Sequence, residues 1–301
     1  MQMEGAMKKF LLKASMILLL PIMLIGCGSQ ENKSNEENGK VEVTVSISPI
    51  KEFTELIGGD KIDVTSLVPD NAEPHDIDLK PRDFEKLTKS KVFIYNGLGM
   101  EDWLDEVKEQ ISEDKIKYVD TSENGNAIKT DGKIDPHQWL SLKEAINQCN
   151  NIKVALSEVD PNNKNYYEEN YEKVKKDFEE LYNEYLPKFQ SLEHKNFVTS
   201  HEAFGYLCRD FGLKQQALND LFGEGELTAK KIEDLVKYCD DNNVNTIFSE
   251  EEDSQKEAQT LANEINGAVK PLYTLETKVE GKSYLEVMKI NLEEIYESMS
   301  K

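Results

Sequence analysis

Arginine, histidine and cysteine are scarce in this chain of 301 residues, and each shortage narrows what the protein does. Arginine occurs only at Arg82 and Arg209, and 36 basic residues face 58 acidic ones, for a formal net charge of −22. Neutralising phosphates takes a basic patch, so nucleic acid is excluded as a partner. The acidity instead suits an exposed surface outside the cytoplasm and a cationic ligand. Past Cys27 the cysteines are Cys149, Cys208 and Cys239, none in Cys-x-x-Cys spacing. Each falls in a helical pattern, so buried free thiols are expected, with at most one internal disulfide. The N-terminal apolar run, Ala14 to Ile25, is shorter than the roughly 20 residues a membrane-spanning helix needs.

That run follows Lys8, Lys9 and Lys13 and has the length of a signal-peptide core. It ends in Leu24-Ile25-Gly26-Cys27, which resembles the lipobox of bacterial lipoproteins. The resemblance implies cleavage before Cys27 and lipidation of that residue. Residues 1–26 are thus expected to be a lipoprotein signal peptide. Residues 27–40, a lipidated cysteine followed by Ser, Glu, Asn, Lys and Gln, read as a flexible tether too polar to pack.

From residue 41 onward β-branched runs alternate with amphipathic helical patterns, the rhythm of an α/β domain with a mainly parallel sheet. Strands are expected at 41–47, 61–68, 92–95 and 116–119, and helices at 48–57, 82–90, 100–110 and 140–156. Asn124 to Asp135 reads as a polar loop. After Asp160-Pro161, Tyr167, Tyr171, Val174, Phe178, Leu181 and Tyr185 recur at steps of four and three, one face of a long helix reaching about residue 190. Pro187 threatens only its last turn. A coiled-coil oligomer is the competing reading, but the stripe is short, so a strut between two lobes is expected. The rhythm then resumes, with strands at 197–200, 213–219, 244–248 and 268–273 and helices at 202–211, 228–238, 254–265 and 283–299. The resulting organisation is an N-terminal α/β lobe at 41–157, a rigid linking helix at 158–191 and a C-terminal α/β lobe at 192–301. A metal site is expected in the cleft between the lobes. No internal sequence repeat relates them.

Only four histidines are present, and His75, His137 and His201 each follow a predicted strand or the loop leaving one. His194 reads as a surface residue near the end of the strut. In parallel α/β sheets ligands bind beyond the carboxyl ends of the strands, so two facing lobes can bring such residues together. Neutral imidazole suits zinc, and three imidazoles with one carboxylate complete a tetrahedron. Pro74 and Pro136 precede two of the histidines and restrict the backbone there. Asp76, Asp135 and Glu202 are candidates to orient the rings. Glu276 also follows a strand, but among 58 acids its position alone does not single it out.

Four segments carry a family resemblance: EPHDIDLKPRDFEKLTKSKVFIYNGLGMEDW at 73–103, DPHQWL at 135–140, TSHEAFGYL at 199–207, and LYTLE at 272–276 followed by SYLEVM at 283–288. In this order they resemble the zinc/manganese class of metal-binding lipoproteins, the solute-binding components of ABC importers. The resemblance covers about 41–301. It implies two βα lobes joined by a rigid helix, with a metal held between them by His75, His137, His201 and Glu276. It further implies a lipid-anchored, extracytoplasmic monomer that delivers the ion to a membrane permease driven by a cytoplasmic ATPase. Many zinc members carry a histidine-rich loop before the second ligand; here Asn124 to Lys133 has none. The last ligand is often aspartate in this class and is glutamate here. A histidine in third place resembles the zinc branch, since manganese members usually place a carboxylate there. The expected cargo is therefore Zn2+, with Mn2+ the alternative.

Two other classes stand as rivals. A zinc hydrolase would keep an open water position on the metal, and His201-Glu202-Ala203-Phe204-Gly205 lacks the second histidine of His-Glu-x-x-His. A surface adhesin would use the same fold without needing the ligands. The reading is of a binding protein and not an enzyme.

Overall fold

In the computed structural model of the chain, residues 39–130, 132–225, 227–250 and 255–300 are described. The expected signal peptide, Cys27 and the tether up to residue 38 lie outside the described residues, as does the side chain of Asp76. Among the described residues no helix is long and apolar enough to cross a membrane.

The first lobe is built from β1 (Val41–Val45), α1 (Ser48–Gly58), β2 (Ile62–Ser66), α2 (Pro81–Lys89), β3 (Val92–Tyr95), α3 (Leu104–Gln110) and β4 (Lys117–Asp120). A small antiparallel hairpin follows, β5 (Lys129–Thr130) with β6 (Lys133–Ile134), and then α4 (Leu142–Val159). The connecting helix is α5 (Lys164–Gln190). The second lobe contains β7 (Asn196–Thr199), α6 (Gly205–Phe211), β8 (Lys214–Ala217), α7 (Ala229–Asn242), β9 (Thr246–Ser249), α8 (Gln255–Glu264), β10 (Ala268–Pro271) and α9 (Tyr284–Met299).

The two four-stranded sheets are parallel throughout, ordered β2-β1-β3-β4 and β10-β9-β7-β8. Read from its other edge, the second has the same two-one-three-four order as the first. The lobes thus share a topology that no sequence repeat announces. Burial on both faces explains the unbroken apolar run Val92-Phe93-Ile94-Tyr95, because helices cover both sides of a parallel sheet.

Local chemistry sets several helix ends. The Ser141 and Thr228 side chains accept from Glu144 and Lys231 backbone N–H at the starts of α4 and α7. Ser283 and Glu286 cap α9 reciprocally. Gly212 ends α6 at φ 70, a left-handed conformation with little cost for glycine. The long helix departs from expectation at its start. Asp160 does not cap it, because its carboxylate accepts instead from Asn163 Nδ2 at 2.7 Å and the Tyr167 hydroxyl at 2.6 Å. Pro161–Asn163 form a 3-10 turn and α5 begins at Lys164. Pro187 does not stop it; the helix runs on to Gln190. Two further expectations are corrected. Residues 100–103 precede α3 instead of belonging to it, and the loop before His137 contains the β5–β6 hairpin.

The buried face of α5 packs on α1, α4 and α9. Phe53 of α1, Phe178 of α5 and Tyr284 of α9 meet with ring centroids 4.8 to 6.0 Å apart. One continuous core runs from β1 and β3 through these helices to Phe197, Phe204, Phe248, Val287 and Leu292. A smaller cluster, including Leu235, Ile247 and Leu261, seals β9 against α7 and α8. Each large side chain fully buried this way stabilises by about 1.5–3 kcal/mol. Swinging the lobes apart would expose many of them, so α5 works as a strut. Cys149, Cys208 and Cys239 are buried free thiols.

Candidate metal centre

Chain exits from the sheets deliver the site. His75 lies beyond β2 in a 3-10 turn, Pro74–Asp76, where the Glu73 carboxylate accepts from the His75 N–H at 3.3 Å. His137 follows the β5–β6 hairpin, His201 comes two residues after β7, and Glu276 lies beyond β10. Donor atoms of these four residues all lie within 4.8 Å of one another. Glu276 Oε1 is 3.1 Å from His75 Nε2 and 3.2 Å from His137 Nε2, and its Oε2 is 3.7 Å from His201 Nδ1. A tetrahedron with bonds of about 2.0–2.1 Å has edges of about 3.3–3.4 Å, so the two Oε1 separations are already close to an edge, while the set as a whole, spread within 4.8 Å, closes slightly around an ion. His75 Nε2 is buried without a hydrogen-bond partner: Glu276 Oε1 is close but not aligned as an acceptor.

The rings are held by groups that turn their lone pairs toward that point. Asp135 Oδ1 accepts from both the His137 backbone N–H, at 2.9 Å, and ring Nδ1, at 2.8 Å. With the proton on Nδ1, the lone pair is on Nε2, facing Glu276. Asp135 is itself held across the cleft, where the Tyr206 hydroxyl of α6 donates to its carbonyl at 2.6 Å. His201 uses the opposite nitrogen: Nε2 donates to the Leu221 carbonyl at 3.1 Å, leaving Nδ1 for the site. Glu276 accepts from the Thr274 hydroxyl at 2.7 Å.

Charge and burial compete throughout. Burial alone would depress His137, but hydrogen bonds and charge from Asp135 and Glu276 overcome it and raise the ring to about 9. At His201 burial wins over the attraction of Glu276, and its pKa is lowered. Burial would raise Glu276, yet His201, His137 and His75 together hold it well below the usual carboxylate range. The cluster is thus an anionic carboxylate among imidazoles, and the proton that His137 holds tightly is one that an entering cation displaces. A cavity of about 580 Å³ opens beside the cluster and is lined by His75, His201, Glu276, Phe222 and Glu250 among others. His137 is fully buried and does not line this cavity.

A family model, ZnuA, described as zinc-uptake complex component A, periplasmic, matches residues 43–298. The chain belongs to the ZnuA family. A Treponema pallidum (strain Nichols) protein carried under a metal-binding name is 37% identical over 278 residues, 87% of this chain and 88% of that one. The high-affinity zinc uptake system protein ZnuA of Bacillus subtilis (strain 168) is 31% identical over 300 residues, 92% and 94% of the two chains. A manganese ABC transporter substrate-binding lipoprotein, PsaA of Streptococcus mitis, is 31% identical over 304 residues, 95% and 97%. Among solved structures, the laminin-binding protein Lmb of Streptococcus agalactiae, described as bifunctional with adhesin and metal transporting activity, superposes with a TM-score of 0.80. Its identity is 29%, over 85% of this chain and 98% of that one.

Within this ZnuA-family chain the structure brings His75, His137, His201 and Glu276 together, and Asp135 contacts His137 directly. Glu202 is half-buried and stands outside the four. His194 is exposed, 3.4 Å from Asn243. Sequence reasoning missed three contributors: the Leu221 carbonyl, the Phe222 ring 5.3 Å from the His75 ring, and Thr274. The first two lie in a loop with no motif. Thr274 stood in plain view two residues before Glu276.

Proposed function

We propose that this ZnuA-family protein captures Zn2+ outside the cytoplasmic membrane and hands it to the permease of an ABC importer powered by a cytoplasmic ATPase. His75, His137, His201 and Glu276 would hold the ion, with Asp135 orienting His137. The reading extends to the rest of the chain: a leader at 1–26, a lipid anchor at Cys27, a tether to residue 40, lobes at 41–157 and 192–301, and a monomer. The observation that carries it is the convergence of four buried donors, three imidazole nitrogens and a carboxylate oxygen, within 4.8 Å of one another, with Glu276 Oε1 at 3.1 and 3.2 Å from two of the nitrogens. Four protein donors leave no open position for a reacting water, so capture and not turnover is the activity.

The manganese relative at 31% identity supports a second reading, Mn2+ as cargo. Manganese favours oxygen-rich, six-coordinate sites, and the donor set here is mainly nitrogen, which favours zinc. The test is elemental analysis of residues 28–301 purified without added metal, followed by competition titration of zinc against manganese. One tightly held zinc per chain, lost in His201→Ala, supports the proposal. Preferential retention of manganese transfers the cargo. Absence of any tightly bound metal defeats it and leaves a surface role, as the Lmb description allows for that protein, in the lead.

A further inference from the structure

Glu276 presents two oxygens to the cluster, and they are not equivalent. Oε1 sits between His75 Nε2 and His137 Nε2 at 3.1 and 3.2 Å. Oε2 is 3.7 Å from His201 Nδ1, near enough to reach the same ion, but it accepts the Thr274 hydroxyl at 2.7 Å. Thr274 cannot easily drift from this position. Its N–H donates to Glu250 Oε1 at 2.8 Å, and its carbonyl accepts Trp139 Nε1 at 2.7 Å. Leu275, between Thr274 and Glu276, adopts φ 64, a left-handed conformation rare for a branched apolar residue. Such strain persists only where surrounding contacts impose it. Both Thr274 and Glu276 are buried, at the wall of the cavity beside the cluster.

We propose that Thr274 is a positioning residue that makes Glu276 a one-oxygen ligand and thereby favours ions content with four ligands over ions that need five or six. The inference rests on the metal-capture reading above. Three imidazoles and one oxygen fill a tetrahedron, the preference of zinc. A carboxylate that binds through both oxygens adds a fifth ligand, which suits manganese and other ions of higher coordination number. The hydroxyl acts by holding Oε2 toward Thr274 through one of its lone pairs, which fixes the carboxylate's rotation and weakens that oxygen as the donor of a fifth bond.

The experiment compares wild type with Thr274→Val, which keeps the shape and removes the hydroxyl, and with Thr274→Ser, which keeps the hydroxyl. Zinc and manganese affinities are measured by chelator competition. Visible absorption of the Co2+-loaded proteins reads coordination number, since tetrahedral cobalt absorbs far more strongly than five- or six-coordinate cobalt. In Thr274→Val the zinc-to-manganese affinity ratio falls about tenfold, the scale of outer partners of metal ligands, and the cobalt bands lose intensity; Thr274→Ser restores both. Equal losses for zinc and manganese with an unchanged cobalt spectrum overturn the inference and reduce Thr274 to packing, while metal capture stands. Thr274→Ala removes the same hydroxyl and must reproduce the change if the valine variant does not fold. Failure of wild type to bind zinc or cobalt tightly overturns the capture reading itself, a result distinct from an unchanged ratio.

Discussion

Replacing Asp135 by asparagine removes one negative charge from beside the site and keeps its shape. The Asp135 carboxylate accepts two hydrogen bonds from His137, at 2.9 and 2.8 Å, through one oxygen. An amide oxygen accepts both, so ring orientation and tautomer survive and only the field is lost. An ion on His137 Nε2 would lie about 6 Å from that carboxylate, where a pair of unit charges at an effective dielectric of about 20 is worth about 3 kcal/mol. The metal-free site already holds a proton on His137, whose pKa is raised to about 9. Exchanging that proton for a dication adds one net positive charge, so the loss amounts to about one such pair. Outer partners of ligating histidines contribute about ten- to hundredfold in affinity, about 1.4–2.7 kcal/mol, in line with that ceiling. Zinc affinity of Asp135→Asn is therefore expected to fall by about ten- to hundredfold near neutral pH. Chelator competition measures it, with circular dichroism as a check on fold. An affinity within about twofold of wild type, on an intact fold, would refute the electrostatic reasoning.

Three further outcomes follow from named contacts. Zinc affinity rises with pH through the neutral range and levels off near His137's pKa of about 9, because the ion must displace the ring proton below it; competition titrations at several pH values check this, and a flat profile contradicts it. Lys133 pairs with Asp220 at 3.0 Å and lies over the Phe222 ring at 4.8 Å, tying the β5–β6 hairpin to the loop that flanks His75 and His201. Lys133→Ala should speed zinc release about two- to fivefold in stopped-flow chelator trapping, the effect of losing about 0.5–1 kcal/mol at an exposed contact; an unchanged rate would remove the tie. Glu101 is fully buried, and desolvation raises its folded-state pKa to about 7 from 4.5 despite hydrogen bonds from Ser46, Asn96 and Gly97. The folded state therefore holds this proton more tightly than the unfolded chain. Its contribution is complete below about pH 4.5 and is lost as pH rises through about 7, a swing of about 3 kcal/mol. Denaturant midpoints of the metal-free protein should fall from pH 5 to pH 8, with His137 and Glu250 losing stability in the same direction, and Glu101→Gln should shrink the fall by about 3 kcal/mol; equal swings in the two proteins would assign it elsewhere.

Much of the architecture was legible because burial leaves a periodic trace. The run Val92 to Tyr95 and the spaced apolar face of α5 announced a strand and a helix before any contact was known. The β5–β6 hairpin was not legible, since Lys129-Thr130 and Lys133-Ile134 are two-residue strands with no apolar alternation to betray them. Asp160-Pro161 carried a helix-start signal that the structure spends differently. Asp160's oxygen is taken by Tyr167, and a side-chain hydroxyl seven residues away is invisible to a local rule.

The candidate site divides along the same line. Three histidines at strand exits, two behind prolines, stood out because the chain has so few. Glu276 did not, because one acid among 58 carries no signal without a family pattern beside it. The sequence by itself determined which elements form and which scarce side chains can ligate, since both depend on residue type and short-range spacing. Only the tertiary structure decided the shared strand order of the two sheets and the separations among the four donors. It alone decided, through the Leu221 carbonyl, which nitrogen of His201 faces inward; at His137 the choice falls to Asp135, two residues back and already a candidate in the sequence. The choice at His201 is made by a hydrogen bond between segments brought together by the fold, and no spacing along the chain encodes it.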